Sequence, residues 1–365
     1  MKSILKRLTA GVLAVALLAG CAAGEEWTRY RISFMDTFDT VVTTIGYTRT
    51  GEDFDRYADR AHELLLYYNQ LFDRYNSYEG LNNVKTINDN AGIAPVQVDE
   101  PLLDLLELCK EWYADSQGTV NVCLGPVLEI WHNYRERYAG EENGELPPME
   151  ELQAAAAHTD IDKLIIDREA GTVYLEEPEM SLDLGAVAKG YATELVCQQL
   201  YAEGFTSFAM SSGGNVRVMD APADGSRTAW VVGLQDPAAG MEAGASVDAV
   251  IGNDLSIVTS GDYQRYYMVD GKKIHHIIDG STLMPADRFS SVSIVIEDSG
   301  VADMLSTALF ILPMEEGQIL AEQYGAEVMW IDTEGNVTCT DGLIPLLRDR
   351  GGATSVPGAS SEEGV

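Results

Sequence analysis

Positively charged residues are scarce in this chain. Its 365 residues contain 24 Lys and Arg against 58 Asp and Glu, which gives a formal net charge of −34. Because a nucleic acid needs a basic surface for its phosphate backbone, this composition excludes a nucleic-acid-binding protein. It also repels anionic substrates unless a local lysine or a divalent cation reverses the field. Any phosphate chemistry in this protein is therefore expected to use a divalent cation.

Cysteine is also rare, and the five cysteines show no CxxC pair and no spacing typical of a metal site. Cys109 and Cys197 fall on apolar helix faces, where we expect buried free thiols rather than disulfides. Cysteine redox chemistry is therefore not indicated. The 46% of hydrophobic residues and 22% of charged residues are typical of a folded globular protein.

The N-terminus contains a short apolar run, Leu8–Leu18, which is too short for a permanent transmembrane helix. It follows a basic start, and the ending Leu18-Ala19-Gly20-Cys21 is typical of a bacterial lipoprotein signal. We predict a signal peptide over residues 1–20 and lipidation of Cys21. The mature protein would then be anchored on the extracytoplasmic side of the cell membrane. Simple cleavage after a small residue is the alternative.

The remaining sequence predicts one large domain of the α+β class. Apolar residues at helical spacing predict helices such as Glu52–Tyr75, and a polar loop is expected over Asn76–Gly92. Later β-prone runs predict largely antiparallel sheets packed with helices. We assign residues 21–29 to a tether and residues 30–350 to the domain. Residues 351–365, which are rich in Gly, Ser and Ala, are expected to be disordered.

The most informative run is SLDLGAVAKGYATELV, residues 181–196. Asp183 is predicted near the end of a short strand, Met180–Leu184, and Lys189 one turn into the helix that follows. Between them, Gly185 and Ala186 form a turn that lets the backbone approach a ligand, and a helix N-terminus favours anions. The alternative is an ordinary strand-to-helix junction with a surface lysine.

A second run places two of the five histidines, His275 and His276, at the end of a predicted strand just before Asp279. Adjacent strand residues face opposite sides, so only one of the two can face a cleft. In the functional interpretation, His276 transfers a proton or contacts a phosphate. In the alternative, it is a structural histidine at a strand end.

A third run, Val301–Leu312, places Asp303 and Thr307 four residues apart on a predicted helix. This spacing puts both side chains on one face. A carboxylate and a hydroxyl one turn apart form half of a site for a hard cation such as Mg²⁺, which prefers oxygen ligands. Helix capping by the aspartate and back-bonding by the threonine are the alternative.

Together these runs resemble the ApbE family of flavin transferases, the bacterial FAD:protein FMN transferases. The resemblance covers nearly all of the mature chain, and its motifs stand in the family's order. They are MDTFDT at 35–40, FDRY at 72–75 with Asn88 beyond, GTVNVCLGPVLEIW at 118–131, LDLGAVAKGYA at 182–192, SSGGNV at 211–216, TSGDYQRYY at 259–267, HHIID at 275–279 and ADMLSTA at 302–308.

The resemblance implies a single T-fold-related domain that splits FAD with the help of Mg²⁺. Such an enzyme attaches the FMN half to a threonine or serine hydroxyl of a partner protein and releases AMP. The partners implied are flavin-acceptor domains of membrane or extracytoplasmic redox proteins. By position, the metal ligands would be Ala186, Asp303 and Thr307. The FAD site would be lined by Met35, Tyr75, Thr119, Val120, Asn121, Asp183, Lys189 and Ile278.

The catalytic residues implied are His276, which matches the family's active-site histidine, and Asp303. Either could accept the proton of the acceptor hydroxyl, and the sequence does not choose between them. Asn121 departs from the family by standing where many relatives have Asp, and Gly280, Leu283 and Thr193-Glu194 depart from it in the turns and helix nearby. Two other functions stay open, namely an FAD pyrophosphatase and a flavin-binding lipoprotein without catalytic activity.

Overall fold

The computed structural model describes residues 26–239 and 245–349. An eight-stranded antiparallel sheet forms its centre, in the order β1-β2-β6-β7-β10-β15-β16-β17. In chain order these eight strands are β1 (Thr28–Thr37), β2 (Thr40–Thr48), β6 (Phe208–Ser212), β7 (Asn215–Met219), β10 (Leu255–Gly261), β15 (Phe289–Ile296), β16 (Glu327–Asp332) and β17 (Val337–Cys339).

Shorter strands form four small sheets around this centre, β3-β5-β4, β8-β9, β11-β12 and β13-β14. Their ranges are β3 (Val96–Gln97), β4 (Leu164–Asp167), β5 (Thr172–Leu175), β8 (Trp230–Gln235), β9 (Ser246–Gly252), β11 (Tyr266–Val269), β12 (Lys272–His275), β13 (Ile278–Asp279) and β14 (Met284–Pro285). The helices are α1 (Gly51–Phe72), α2 (Val84–Asp89), α3 (Glu100–Asp115), α4 (Gly125–Arg137), α5 (Met149–Ala156), α6 (Ala188–Ala202), α7 (Ser299–Ile311) and α8 (Met314–Tyr324).

The central sheet is buried on both faces, which makes the domain a stack of three layers. Successive strand residues point to opposite faces, so Ile257 of β10 joins one core and its neighbour Val258 joins another. On one face lie α1, α6 and α7, and on the other lies the β8-β9 hairpin, with Trp230 and Val250 in the shared core. The site residues lie on the helical side.

Helix α1 begins where its sequence provides a cap. The Thr50 hydroxyl accepts the Asp53 backbone N–H at 3.1 Å and donates to the Asp53 carboxylate at 2.8 Å. These bonds satisfy a free N–H group of the first turn. The apolar face of the helix, including Phe54, Ala58 and Leu65, then packs against the sheet and α6.

Helices α6 and α7 approach each other unusually closely because residue 190 is glycine. A Cβ atom at Gly190 would lie 2.2 Å from the Ser299 carbonyl oxygen and 2.4 Å from the Asp303 Cβ. A buried ion pair also joins this region, since the Arg217 guanidinium of β7 donates to the Glu194 carboxylate of α6 at 3.1 Å. The same carboxylate accepts the Ser299 backbone N–H at 2.9 Å and so caps the start of α7.

The α+β prediction is confirmed, and several boundaries are corrected. The predicted strand Met180–Leu184 is wrong, because this segment forms no strand pairing. The predicted loop Asn76–Gly92 contains α2, and β9 was not predicted. Strand β1 begins at Thr28, inside the predicted tether. The signal peptide, Cys21 and the tail 351–365 lie outside the described residues.

Cys109, Cys123 and Cys197 are buried free thiols, as predicted for the first and last, and burial raises the pKa of each. Across residues 26–239 and 245–349, none of the helices combines the length and the apolar character needed to cross a bilayer.

Candidate active site

The turn before α6 is shaped by hydrogen bonds from distant parts of the chain. Leu182 donates its N–H to the Asn88 side chain at 2.7 Å and accepts from the same side chain at 3.1 Å. The Asp183 N–H donates to the Val122 carbonyl at 2.8 Å. These contacts hold the segment extended without a partner strand, which is why a sequence pattern typical of a strand gave a wrong prediction. The Gly185 N–H then donates to the Asp183 carboxylate at 2.8 Å and closes the turn.

Lys189 and Asp303 meet where α6 passes α7. The lysine Nζ lies 3.5 Å from Oδ1 of Asp303, and the Asp303 side chain is only about 5% exposed. The other oxygen, Oδ2, accepts the backbone N–H of Gly190 at 2.8 Å. A nearly buried carboxylate thus has one ammonium group and one helix N–H as its partners. The structure brings these two predicted residues together.

The remaining predicted metal ligands are near this pair along the chain, with Ala186 in the turn before α6 and Thr307 one turn after Asp303 on α7. Their donors are a backbone carbonyl and a hydroxyl. In the described part of the chain, no group of three or more His, Cys, Asp and Glu side chains is arranged to bind a metal ion. A cation here would therefore depend on a set of oxygen donors with a single carboxylate. This chemistry fits Mg²⁺, which binds few carboxylates and retains waters.

Asp183 is engaged by an arginine that the sequence analysis did not assign. Arg74 donates to Asp183 Oδ2 at 2.5 Å through one guanidinium nitrogen and to Glu129 Oε2 at 2.9 Å through another. The Arg74 side chain is mostly buried. Because the other Asp183 oxygen accepts from Gly185, both oxygens already have partners. Asp183 therefore fixes the turn as well as facing the site.

Tyr75 and Met35 are the exposed apolar residues among the predicted flavin contacts. Met35 is 79% exposed and Tyr75 is 50% exposed, which is unusual for large apolar side chains. The Tyr75 ring lies 5.5 Å from the His132 ring and under the Arg74 guanidinium, also at 5.5 Å. Burial of its hydroxyl, with the nearby Asp183 charge, raises the pKa of Tyr75.

Val120 and Asn121 belong to the framework in this structure. Val120 is buried and donates its N–H to the Ser116 hydroxyl at 3.1 Å. The Asn121 side chain accepts the Cys123 N–H at 2.9 Å and donates to the Thr159 carbonyl at 2.8 Å. Both ends of the amide are thus used within the protein.

Thr119 lines a cavity of about 220 Å³, whereas Ile278 is buried beside α4 and α5. The cavity connects the loop after α3 with the turn after β13 and the end of α7. Its other lining residues are Gln117, Gly118, Asp279, Gly280, Ser281, Arg288, Ile311, Leu312, Pro313 and Glu316.

His275 is structural. It ends β12, is buried, and donates from Nε2 to the Ala286 carbonyl at 2.7 Å. Its Nδ1 accepts the Ile277 N–H at 3.3 Å. Both ring nitrogens are used only if the ring is neutral, and burial lowers the pKa of His275 accordingly.

His276 has the opposite character. It is half-buried, and its Nδ1 is enclosed without a hydrogen-bond partner among the described residues. Burial lowers the pKa of His276 to about 3, helped by the positive charges of Arg265, Arg135 and Lys189. The ring is therefore neutral at ordinary pH, and it becomes a stronger base when a bound anion offsets these positive charges. One histidine is thus held by two hydrogen bonds, while its neighbour, just beyond the end of β12, keeps one ring nitrogen without a partner among the described residues.

Comparisons with known proteins identify the family. The model of the ApbE family matches residues 28–330. The chain belongs to the ApbE family.

Among its relatives, a Klebsiella pneumoniae (strain 342) protein named FAD:protein FMN transferase is 32% identical over 253 residues, 68% of this chain and 75% of that protein. A Treponema pallidum (strain Nichols) protein of the same name is 32% identical over 275 residues, 72% of this chain and 74% of that protein. The crystal structure of the ApbE protein from Thermotoga maritima superposes with a TM-score of 0.75 at 26% identity, over 86% of this chain and 98% of that chain. The predicted family, the single-domain fold and the transferase class are thus confirmed.

Three arginines of this ApbE-family site were missed by sequence reasoning. Arg74 stands next to Tyr75 in the FDRY motif, and Arg265 stands in TSGDYQRYY. Both therefore lie in motifs that carry the family resemblance and could have been found from the sequence. Arg135 lies on α4 beyond the end of the GTVNVCLGPVLEIW motif, so no motif singled it out. In a chain of net charge −34, a group of arginines and a lysine around one histidine reverses the local field.

Proposed function

We propose that this ApbE-family chain transfers the FMN half of FAD to a threonine or serine hydroxyl of an acceptor protein and releases AMP. The observation that supports this most directly is the buried Asp303 carboxylate beside Lys189, which stands in α6 just after the turn that contains Ala186. Similarity to relatives named FAD:protein FMN transferase supports the same reaction.

The proposed metal ligands are the Ala186 carbonyl, the Asp303 carboxylate and the Thr307 hydroxyl. When bound, Mg²⁺ would neutralise the diphosphate and stabilise the charge that develops on the leaving AMP. The Lys189 ammonium adds a positive charge beside Asp303 and offsets the protein's own negative field.

His276 is the better candidate for the base. The acceptor hydroxyl must lose its proton as its oxygen bonds to the FMN phosphorus and the bond from that phosphorus to the bridging oxygen breaks. The Nδ1 of His276 has no partner among the described residues and the ring is neutral, so it can take this proton once the anionic substrate offsets the positive charges that lower its pKa. Asp303 accepts from Gly190 and faces Lys189, so both of its oxygens already have a partner.

The flavin would contact the exposed pair Met35 and Tyr75, and Thr119 would meet the ligand from the side of the cavity. Val120, Asn121, Asp183 and Ile278 complete the proposed FAD site, chiefly by holding its walls in place.

We further propose that the chain acts on the extracytoplasmic side of the cell membrane, anchored by a lipid on Cys21. The acceptors would be flavin-accepting domains of membrane or extracytoplasmic redox proteins. The motivation is the lipoprotein-type ending of the predicted signal peptide. Expression of the full chain and of Cys21→Ala tests the anchor: the former should sediment with membranes and the latter should not. Equal sedimentation would contradict lipidation.

The function is tested by incubating the chain with FAD, Mg²⁺ and a purified acceptor domain from an ion-pumping quinone reductase. Intact-mass spectrometry should show the acceptor gaining one FMN, with AMP in equal amount. Asp303→Asn should abolish both products, while the charge-matched control Glu322→Gln on the exposed side of α8 should leave them unchanged. Chelation should stop the reaction and added Mg²⁺ should restore it. Release of FMN into solution without an adduct would instead show a pyrophosphatase, and FAD left intact would show a carrier.

A further inference from the structure

Arg265 and His276 lie just beyond the paired ends of strands β11 and β12, and the positive charge of Arg265 acts on the His276 ring. Strands β11 and β12 pair antiparallel, with Tyr266 opposite His275 as the first pair. One residue further toward the open end of this hairpin come residues 265 and 276, which stand just outside the paired strands. Arg265 thus lies at the mouth of the hairpin where the histidine stands.

Helix α4 brings a second arginine to the same place. The helix packs on the hairpin through Tyr138 and Tyr267, whose rings stack at 5.9 Å and 20°. Arg135 lies one turn before Tyr138, and its Nη2 is 3.0 Å from the His132 Nδ1. His132 in turn contacts the Tyr75 ring, so Arg135 borders the proposed flavin site.

Neither guanidinium group forms an ion pair in the described part of the chain, although Glu136 and Asp183 lie near enough to Arg135 to act on its charge. The contact of Arg135 is to a histidine nitrogen, and Arg265 makes no hydrogen bond or ion pair within residues 26–239 and 245–349. Burial and the charge of Arg265 lower the pKa of Arg135, which shows that the two cations repel each other. By contrast, Arg74 and Arg217 each pair with a carboxylate.

Two neighbouring cations in a strongly acidic protein indicate a place for an anion. A guanidinium group matches phosphate oxygens with two parallel N–H bonds and suits this role better than a lysine. The position next to His276 favours the substrate over a remote docking partner.

We propose that Arg135 and Arg265 form a phosphate-binding subsite that holds the diphosphate of the dinucleotide against His276. This rests on the proposed function for the identity of the dinucleotide. In this arrangement the arginines and Lys189 share the negative charge of the substrate, and the leaving phosphate departs from a positive environment.

Titration of the full chain with ADP in the presence of Mg²⁺ tests the subsite, because ADP contains a diphosphate and needs neither flavin nor acceptor. Arg135→Gln and Arg265→Gln should each weaken ADP binding by about 10-fold, as expected for a lost charged hydrogen bond. Arg137→Gln is the matched control. It removes the same charge from the same helix, but Arg137 lies over the Tyr134 ring, so ADP affinity should not change. Riboflavin, which has no phosphate, should bind all four proteins equally.

ADP affinity that is the same in wild type, Arg135→Gln and Arg265→Gln would overturn the subsite, as would a wild-type chain that does not bind ADP. Unchanged ADP affinity with a raised KM for the acceptor protein would also overturn it and show that the arginines recognise an acidic peptide. Arginine-dependent ADP binding by a chain that transfers no FMN would leave the subsite standing and refute the proposed function instead.

Discussion

Replacing Gly190 by alanine tests whether the spacing of α6 and α7 sets the site. The added Cβ would meet the Ser299 carbonyl oxygen at 2.2 Å and the Asp303 Cβ at 2.4 Å. Non-bonded carbon atoms settle at about 3.5 Å or more, so the helices must part by about 1 Å. Since Lys189 lies on one helix and Asp303 on the other, their 3.5 Å contact should lengthen.

The expected magnitudes separate activity from stability. Overpacking costs about 1–3 kcal/mol, and the better helix propensity of alanine returns about 1 kcal/mol. A domain with an unfolding free energy of about 5–15 kcal/mol stays folded after such a loss. A displacement of about 1 Å at reacting groups, however, can lower turnover roughly 100-fold. We therefore expect a large loss of kcat with a small loss of stability.

Urea denaturation and FMN-transfer kinetics on the same samples measure both effects. Gly317→Ala on α8 is the control, because its added Cβ would meet no backbone atom closely and only the Leu309 side chain at 3.3 Å, rather than Asp303. It should change stability by less than about 1 kcal/mol and leave turnover intact. Full turnover in Gly190→Ala would refute the idea that this close approach positions Asp303.

Three further variants probe neighbouring groups. Arg74→Met leaves the mostly buried Asp183 and the half-exposed Glu129 without their cation. We expect the free energy of unfolding, measured by urea denaturation, to fall by about 3 kcal/mol and the KM for FAD to rise. Unchanged values would remove Arg74 from the site. His276→Asn should lower kcat by roughly 100-fold or more with little change in melting temperature, and wild-type turnover would exclude it as the base. Because burial lowers the pKa of His275, its neutral form stabilises the fold above the ordinary histidine pKa of about 6.5 and this stability is lost as the pH falls. Urea midpoints at pH 7.5 and 5 should differ less in His275→Asn than in wild type, and an equal difference would assign the acid sensitivity elsewhere.

Strong local patterns made much of the fold predictable. Helix α1 has apolar residues at helical spacing over six turns and a capping threonine, so its start was placed within one residue. Helix α2 was missed because it is short and polar, and its start depends on a reciprocal bond between Asn83 and Thr86. The segment Met180–Leu184 was misassigned because it is held by Asn88, far away in the chain, rather than by a neighbouring strand.

The site residues likewise include some that a local sequence pattern predicts and some that it does not. Asp303 and Thr307 share a helix face, so four-residue spacing was enough to pair them. The contact of Arg74 with Asp183 joins residues 109 positions apart, and nothing in a local pattern predicts it. The meeting of Arg135 and Arg265 depends on how α4 packs against a hairpin, which is a property of the assembled domain.

The third layer of the domain is a suitable place to attach a reporter. The β8-β9 hairpin covers the face of the sheet opposite Lys189 and Asp303, and the last described residues attach to it, with the Arg348 N–H bound to the Ala249 carbonyl at 2.8 Å. A fluorescent reporter fused after Asp349 therefore emerges behind the catalytic face, where it leaves the route of an incoming acceptor clear. Binding of flavin and docking of a partner can then be followed by energy transfer on the intact, working enzyme.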